Sequence, residues 1–170
     1  ILAENWRGAL RHLSTSSPWP SPRKLSALAA ATSILFVACS GLIGAAARTD
    51  ESAPDFQIEV FANENYAGGE QISLAQFAGK PVVINFWFPS CPPCRLEMPD
   101  LEKAYQDYKQ DGVQFLGVQL LGLDSASDGQ EFVDEFKVNY AIGPDEDGSI
   151  TRDYEVRNFP TTVFLTRDHE

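Results

Sequence analysis

Cys91 and Cys94 stand two residues apart in the stretch "NFWFPSCPPC", residues 85–94. Thiols at this spacing can serve as a redox couple, as half of a metal site or as a structural staple. A structural zinc takes about four ligands, usually from two such pairs or from added histidines. The chain has 3 cysteines and 2 histidines, and after Cys94 the only histidine is His169. A closed metal site therefore lacks ligands, and no metal is expected. A C-x-x-C loop is too short to constrain an unfolded chain much, so a staple gains little leverage. Redox exchange fits the surroundings best. The pair falls where an apolar run gives way to a helical pattern, which puts Cys91 at a helix N-terminus. Unpaired N–H groups and the helix dipole stabilise a thiolate there. Pro92 and Pro93 occupy first-turn positions, where a missing N–H costs little, and they stiffen the ring joining the sulfurs. Cys94, one turn further in, is expected to be the more buried, resolving thiol.

A strand and a helix must hold such a pair. The run "PVVINFWF" (81–88) is continuous, β-branched and aromatic, the pattern of a strand buried on both faces. A helix is predicted from Cys91 to about Asp111. Its apolar spacing is carried by Leu96, Leu101, Ala104, Tyr105 and Tyr108, with a kink at Pro99 and a stop at Gly112. Upstream, "DFQIEVF" (55–61) alternates as a strand does, residues 71–73 form a short second strand, and 74–77 a helical turn. Downstream, "VQFLGVQLLGL" (113–123) predicts another buried strand. Residues 129–138 predict a helix with Phe132, Val133 and Phe136 on one face. A short strand at 140–145, a helical turn at 150–154 and a strand at 161–166 directly after Pro160 complete the pattern. Strands alternating with helices imply an α/β fold with a parallel core.

The net charge of −11 is unevenly spread. Four of the 13 basic residues and one of the 24 acidic ones precede residue 39, leaving 9 against 23 and a net of −14 for the remainder. Such a domain repels nucleic-acid phosphates, and no nucleic-acid partner is expected. Residues 1–22 are rich in Ser and Pro and begin with Ile1 rather than Met, which suggests a fragment or an artificial start. Arg23 and Lys24 then precede the apolar segment 25–47, the pattern of an export signal. Three readings stay open. "LFVACSG" is similar to a lipobox, with lipidation at Cys39 and with Phe36 in place of the usual Leu. The 23 residues 25–47 would span about 34 Å as a helix, enough for a ~30 Å hydrocarbon core. Cleavage after residues 45–47 is the third. Each reading delivers the rest of the chain to the outer face of the cytoplasmic membrane. The organisation expected is an extension (1–22), a signal, lipobox or anchor (23–47), a linker (48–53) and a folded domain (54–170).

"VVINFWFPSCPPCRLEMPDLEKAYQDY" resembles the thioredoxin-like family, specifically its exported, membrane-tethered TlpA/ResA-type thiol–disulfide oxidoreductases. "SAPDFQIEVF", "ISLAQFAGKPVVINFW" and "DYEVRNFPTTVFLTRD" extend the likeness over about residues 53–170. The resemblance implies a thioredoxin-like α/β fold with an N-terminal β extension, truncated here before the family's last strand and C-terminal helix. Residues 161–166 should then form an unpaired edge. It implies Cys91 as the attacking thiol and Cys94 as the resolving one. It also implies a cis Pro160 packed against the pair and a Phe159 backbone that pairs with substrate. Ser90, Pro92 and Pro93 would complete the substrate surface. Glu97, one turn after Cys94, occupies a position where related exported enzymes carry an acid. Asn85 stands where thioredoxins have a buried acid, so proton management falls to Glu97, with a raised pKa. The family usually has Trp where this chain has Ser90. A serine there should leave Cys91 more open, with a hydroxyl free to cap the helix or bond the thiolate. Trp87 is read as packing.

The expected reaction is reduction of a disulfide-containing protein by the Cys91/Cys94 dithiol, without a cofactor and by a monomer. The resemblance implies a membrane thiol-reducing protein as electron donor and apocytochrome c as a frequent substrate of the family. A disulfide-donating oxidase, a thiol peroxidase, a copper metallochaperone and a non-catalytic binding module are the alternatives.

Overall fold

The structure is a computed structural model that describes residues 52–170. The extension, the apolar segment with Cys39 and most of the linker lie outside the described residues.

β1 (Gln57–Glu59) and β2 (Gln71–Ser73) pair antiparallel, with Ile58 opposite Ile72 and both buried. β1 is shorter than the alternation at 55–61 predicts because its flanks bond elsewhere. Asp55 Oδ1 accepts the Ala75 N–H at 3.0 Å, and the Phe61 N–H donates to Ile142 O at 2.8 Å. Gly143 permits this approach, since a Cβ there would lie 2.3 Å from the Glu59 carbonyl oxygen. A 3-10 turn (Leu74–Phe77) leads into β3 (Val82–Trp87), which is buried along its whole length, as its continuous apolar run predicts. The linker's last residue is tied down too: the Ala53 N–H donates to His169 O at 2.7 Å.

β4 (Gln114–Leu120), β5 (Ala141–Asp145) and β6 (Thr161–Leu165) complete a sheet of order β5-β4-β3-β6. β3, β4 and β5 are parallel, and β6 runs antiparallel to β3 at the edge of this sheet among the described residues. Side chains alternate between its faces. Val82, Ile84, Phe86, Leu116 and Val118 pack with Ile58, Leu74 and Ile150. Val83, Trp87 and Phe115 pack with Met98, Leu101 and Phe132 on the other side.

α1 (Pro92–Tyr108) continues as a 3-10 turn (Lys109–Asp111) and stops at Gly112, whose φ of +84° suits glycine. Its inner face differs from the predicted one. Cys94, Met98, Leu101 and Ala104 are buried, whereas Leu96 is 81% exposed. Two residues along a helix is about 200° of rotation, so Leu96 points away once Cys94 points in. α2 (Ala126–Phe136) begins three residues before the predicted start because Ser125 and Asp128 form a capping box ahead of the apolar face. α3 (Ser149–Asp153) is capped from a distance. Asp145, buried at the end of β5, accepts the N–H groups of Ile150 and Thr151 at 3.3 and 2.8 Å.

Candidate active site

The turn from β3 into α1 carries the two sulfurs. Cys91 is the N-cap of α1, with Pro92 and Pro93 filling the first turn and no acidic residue there. The Cys94 N–H donates to Cys91 Sγ at 3.3 Å, and the Arg95 N–H to the Cys91 carbonyl at 3.1 Å. The two cysteines are joined in a disulfide, with their Cα atoms 5.3 Å apart. Cys94 is the more buried, as expected, but by little: Cys91 is 2% exposed and Cys94 0%. Ser90 does not open Cys91. The two cysteines belong to the buried cluster of Trp87 and Met98, against which Phe88 and Phe159 pack. Pro92 and Pro93 are exposed and form the outer wall. Trp87 is fully buried against Phe132, with ring centroids 4.4 Å apart.

The Phe159–Pro160 peptide bond is cis. Pro160 is half-buried at the entry to β6, and the Phe159 ring meets Phe88 edge-on at 5.3 Å. The β3–β6 register sets Thr162 beside Asn85. Asn85, 2% exposed, donates through Nδ2 to Glu97 Oε1 at 2.8 Å and to Thr162 Oγ1 at 3.2 Å. Its own Oδ1 is buried without a hydrogen-bond partner. Burial pushes the Glu97 carboxyl above the ordinary glutamate range, and the Asn85 hydrogen bond opposes that shift only in part. Sequence reasoning singled out both Asn85 and Glu97 but not their contact, and it missed Thr162. That residue lies 77 positions from Asn85 and is brought in by strand register.

Ser90 departs from expectation in its bonding as well. Its N–H and its hydroxyl both donate to Asp124 Oδ2, at 3.1 and 2.8 Å. It neither caps α1 nor meets a sulfur, because a carboxylate is the stronger acceptor for both donors. Asp124, between β4 and α2, carried no sequence signal beyond its position just before the capping box. Among the described residues, no group of three or more His, Cys, Asp or Glu is arranged to hold a metal.

Residues 49–170 match the model of the AhpC/TSA family, well over half of the chain. The chain belongs to this family. Within the family it is similar to the thiol-disulfide oxidoreductase ResA of Oceanobacillus iheyensis, 32% identical over 123 residues, covering 72% of this chain and 62% of that protein. It is also similar to ResA of Halalkalibacterium halodurans, 35% identical, covering 73% of this chain and 66% of that protein. The chain therefore spans somewhat less than two thirds of the length of these curated relatives. Among solved structures it resembles a secreted Mycobacterium tuberculosis disulfide oxidoreductase homologous to E. coli DsbE. That match has a TM-score of 0.59 and 29% identity over 68% of this chain and 78% of that one. The thioredoxin-like α/β fold of this AhpC/TSA member is thus shared with proteins named for disulfide exchange.

Proposed function

We propose that the chain is an exported thiol–disulfide oxidoreductase that reduces protein disulfides through Cys91 and Cys94. One observation carries the reading: the two sulfurs sit together at the start of α1, under a helix N-terminus without a competing acid in its first turn. In the reduced form the Cys91 thiolate attacks one sulfur of a substrate disulfide, forming a mixed disulfide and releasing a substrate thiolate, which takes a proton. Cys94, deprotonated, then attacks Cys91 Sγ. The Cys91–Cys94 disulfide forms, and the second substrate sulfur leaves and is protonated. Two electrons pass to the substrate, and a membrane thiol-reducing protein supplies two more to restore the dithiol. No cofactor takes part. A helix N-terminus in a partly buried site is worth up to about 2 kcal/mol to a charged group. Desolvation of a buried sulfur opposes it, so the sulfur's donors are what make the thiolate accessible.

Glu97, half-buried beside Asn85 and one turn from Cys94, is the group proposed to receive the Cys94 proton. A carboxyl poised above its ordinary range transfers protons better near neutral pH. The cis Pro160 and the Phe159 backbone, with Ser90, Pro92 and Pro93 around the sulfurs, are the proposed contact surface for the substrate chain. Residues 23–47 would deliver the domain to the outer face of the cytoplasmic membrane, with Cys39 as the lipid attachment site. Among the described residues no helix is long and apolar enough to cross a membrane, so anchoring would rest on that upstream segment. Substrates are protein disulfides, such as those of an apocytochrome c.

The test is a redox titration of the Cys91/Cys94 couple in the full chain, paired with insulin reduction. The expected result is a reversible two-electron couple near the thioredoxin end of the known range, about −270 mV, with insulin reduced at a rate that depends on Cys91. A potential near −120 mV would reverse the proposed direction. A pair that fails to exchange with glutathione would defeat the reading.

A further inference from the structure

The peptide group joining Pro89 to Ser90 lies immediately before Cys91 and is held at both ends by opposite charge. Its carbonyl accepts from Arg95 Nη1 at 3.5 Å, the outer limit of such a bond, and its N–H donates to Asp124 Oδ2 at 3.1 Å. The same carboxylate oxygen takes the Ser90 hydroxyl at 2.8 Å. Arg95 is anchored in turn. It pairs with Glu135, and its guanidinium carbon lies 5.4 and 5.0 Å from the rings of Phe132 and Phe136. Ser90, Arg95, Asp124 and Glu135 line one open cleft of about 250 Å³. α1, α2 and the β4–α2 loop therefore converge on a single peptide group, one residue from the proposed attacking sulfur.

We propose that Asp124, supported by Arg95, is a positioning residue that engages both donors of Ser90, withholds them from Cys91 and so makes the dithiol more reducing. This rests on the dithiol reading above. A thiolate gains from every hydrogen bond it accepts and loses from a like charge nearby. Ser90 supplies the donors nearest to Cys91 in sequence, and both are turned onto a carboxylate. That carboxylate also adds negative charge at the same turn. Both effects destabilise the reduced form, and a couple whose reduced form is destabilised has a lower potential.

The experiment is equilibration of the full chain with glutathione: the Cys91–Cys94 disulfide plus two glutathione thiols gives the dithiol plus one glutathione disulfide. Asp124→Asn removes the charge and keeps an acceptor, whereas Asp124→Ala removes both. The equilibrium should shift toward reduced protein by about threefold in Asp124→Asn and about tenfold in Asp124→Ala, a tenfold change being about 30 mV. Alkylation of Cys91 by iodoacetamide at pH 7 should accelerate in the same order. Ser90→Ala in the Asp124→Ala background should return part of the shift. Thermal unfolding of the oxidised forms reports on the fold, and Asp124→Asn decides the matter if Asp124→Ala fails to fold. Unchanged equilibrium and alkylation, with or without a lower Tm, would leave Asp124 a structural residue and overturn the proposal. A shift toward oxidised protein would overturn it equally. A wild-type pair that does not exchange with glutathione would defeat the parent reading instead, so the two failures are distinguishable.

Discussion

At the start of α2, the Asp128 N–H donates to Ser125 Oγ at 3.2 Å and Asp128 Oδ2 accepts the Ser125 N–H at 2.7 Å, so backbone donors meet side-chain oxygens. At the start of α1 the corresponding bond runs from the Cys94 N–H to a sulfur at 3.3 Å, and two prolines remove donors from the first turn. An oxygen cap commits the helix terminus to stability, because the acceptor is permanent. A sulfur cap leaves the terminus available to a group whose charge and bonding can change, and the missing N–H groups leave fewer donors without partners. The acids near α1 are displaced from its first turn. Asp124 is engaged with Ser90, and Glu97 is half-buried beside Asn85. Within one domain, the α2 terminus is closed by oxygen acceptors and the α1 terminus by a sulfur, with no acid in its first turn.

The largest predicted difference comes from removing each cap. Cys91→Ser should reduce insulin turnover to background, and Cys94→Ser should stall exchange as a mixed disulfide visible on a non-reducing gel. Ser125→Ala should leave turnover at the wild-type rate. Loss of turnover in the α2 variant would erase the distinction between the two termini. Next in size, Glu97→Gln should slow disulfide exchange at neutral pH by about 100-fold, measured by stopped-flow fluorescence, if the carboxyl moves the Cys94 proton. A rate within a factor of about two of wild type would remove it from the proton path. Smaller again, Ser125→Ala should cost about 1 kcal/mol in urea unfolding with no change in the glutathione equilibrium.

The smallest effects are in the pH dependence of Tm, and they have opposite signs at the two helices. Hydrogen bonds from the Ser125 side chain and backbone hold the Asp128 carboxyl below the ordinary aspartate range. Its contribution is present above the unfolded-state value and is lost as pH falls through the folded one. Glu97 behaves the other way. Burial raises its folded value, so the folded state binds the proton more tightly than the unfolded chain does. Stability should therefore fall as pH rises from the ordinary glutamate range through the raised value, then level off. A Tm-against-pH series should lose this decline in Glu97→Gln and part of the acid-side loss in Asp128→Asn. A Glu97→Gln profile parallel to wild type would mean that the carboxyl is solvated in solution.

Much of the architecture was legible because it is written in short periods. The continuous run of β3, the helical spacing after Cys91 and the strand after Pro160 each lie within one segment, and each element forms there. Element ends differ from the predicted ones where a distant or side-chain partner sets them. β1 is trimmed by bonds to Ile142 and Ala75, and α2 gains a turn from the Ser125–Asp128 box. The apolar spacing predicts Leu96 as a core residue, but apolar character alone does not give a helix its rotational phase. That phase follows from which residues face the sheet, and here Cys94 and Met98 do. Cys91 is buried although Ser90 beside it is exposed, because it belongs to a cluster assembled from residues distant in sequence. The cis state of Pro160 came from family resemblance, and spacing would not have supplied it.

By itself the sequence determined that two thiols stand at a strand-to-helix turn, with prolines and no acid in the first helical turn, because those features depend only on residues within one segment. Tertiary structure alone decided that Glu97 is half-buried against Asn85, 12 positions away, and that Thr162 joins them from 77 away. It also decided that Ser90 gives both its donors to Asp124, 34 positions on. Desolvation and hydrogen bonding act over a few ångströms of space, and only the packed sheet and helices bring these groups that close.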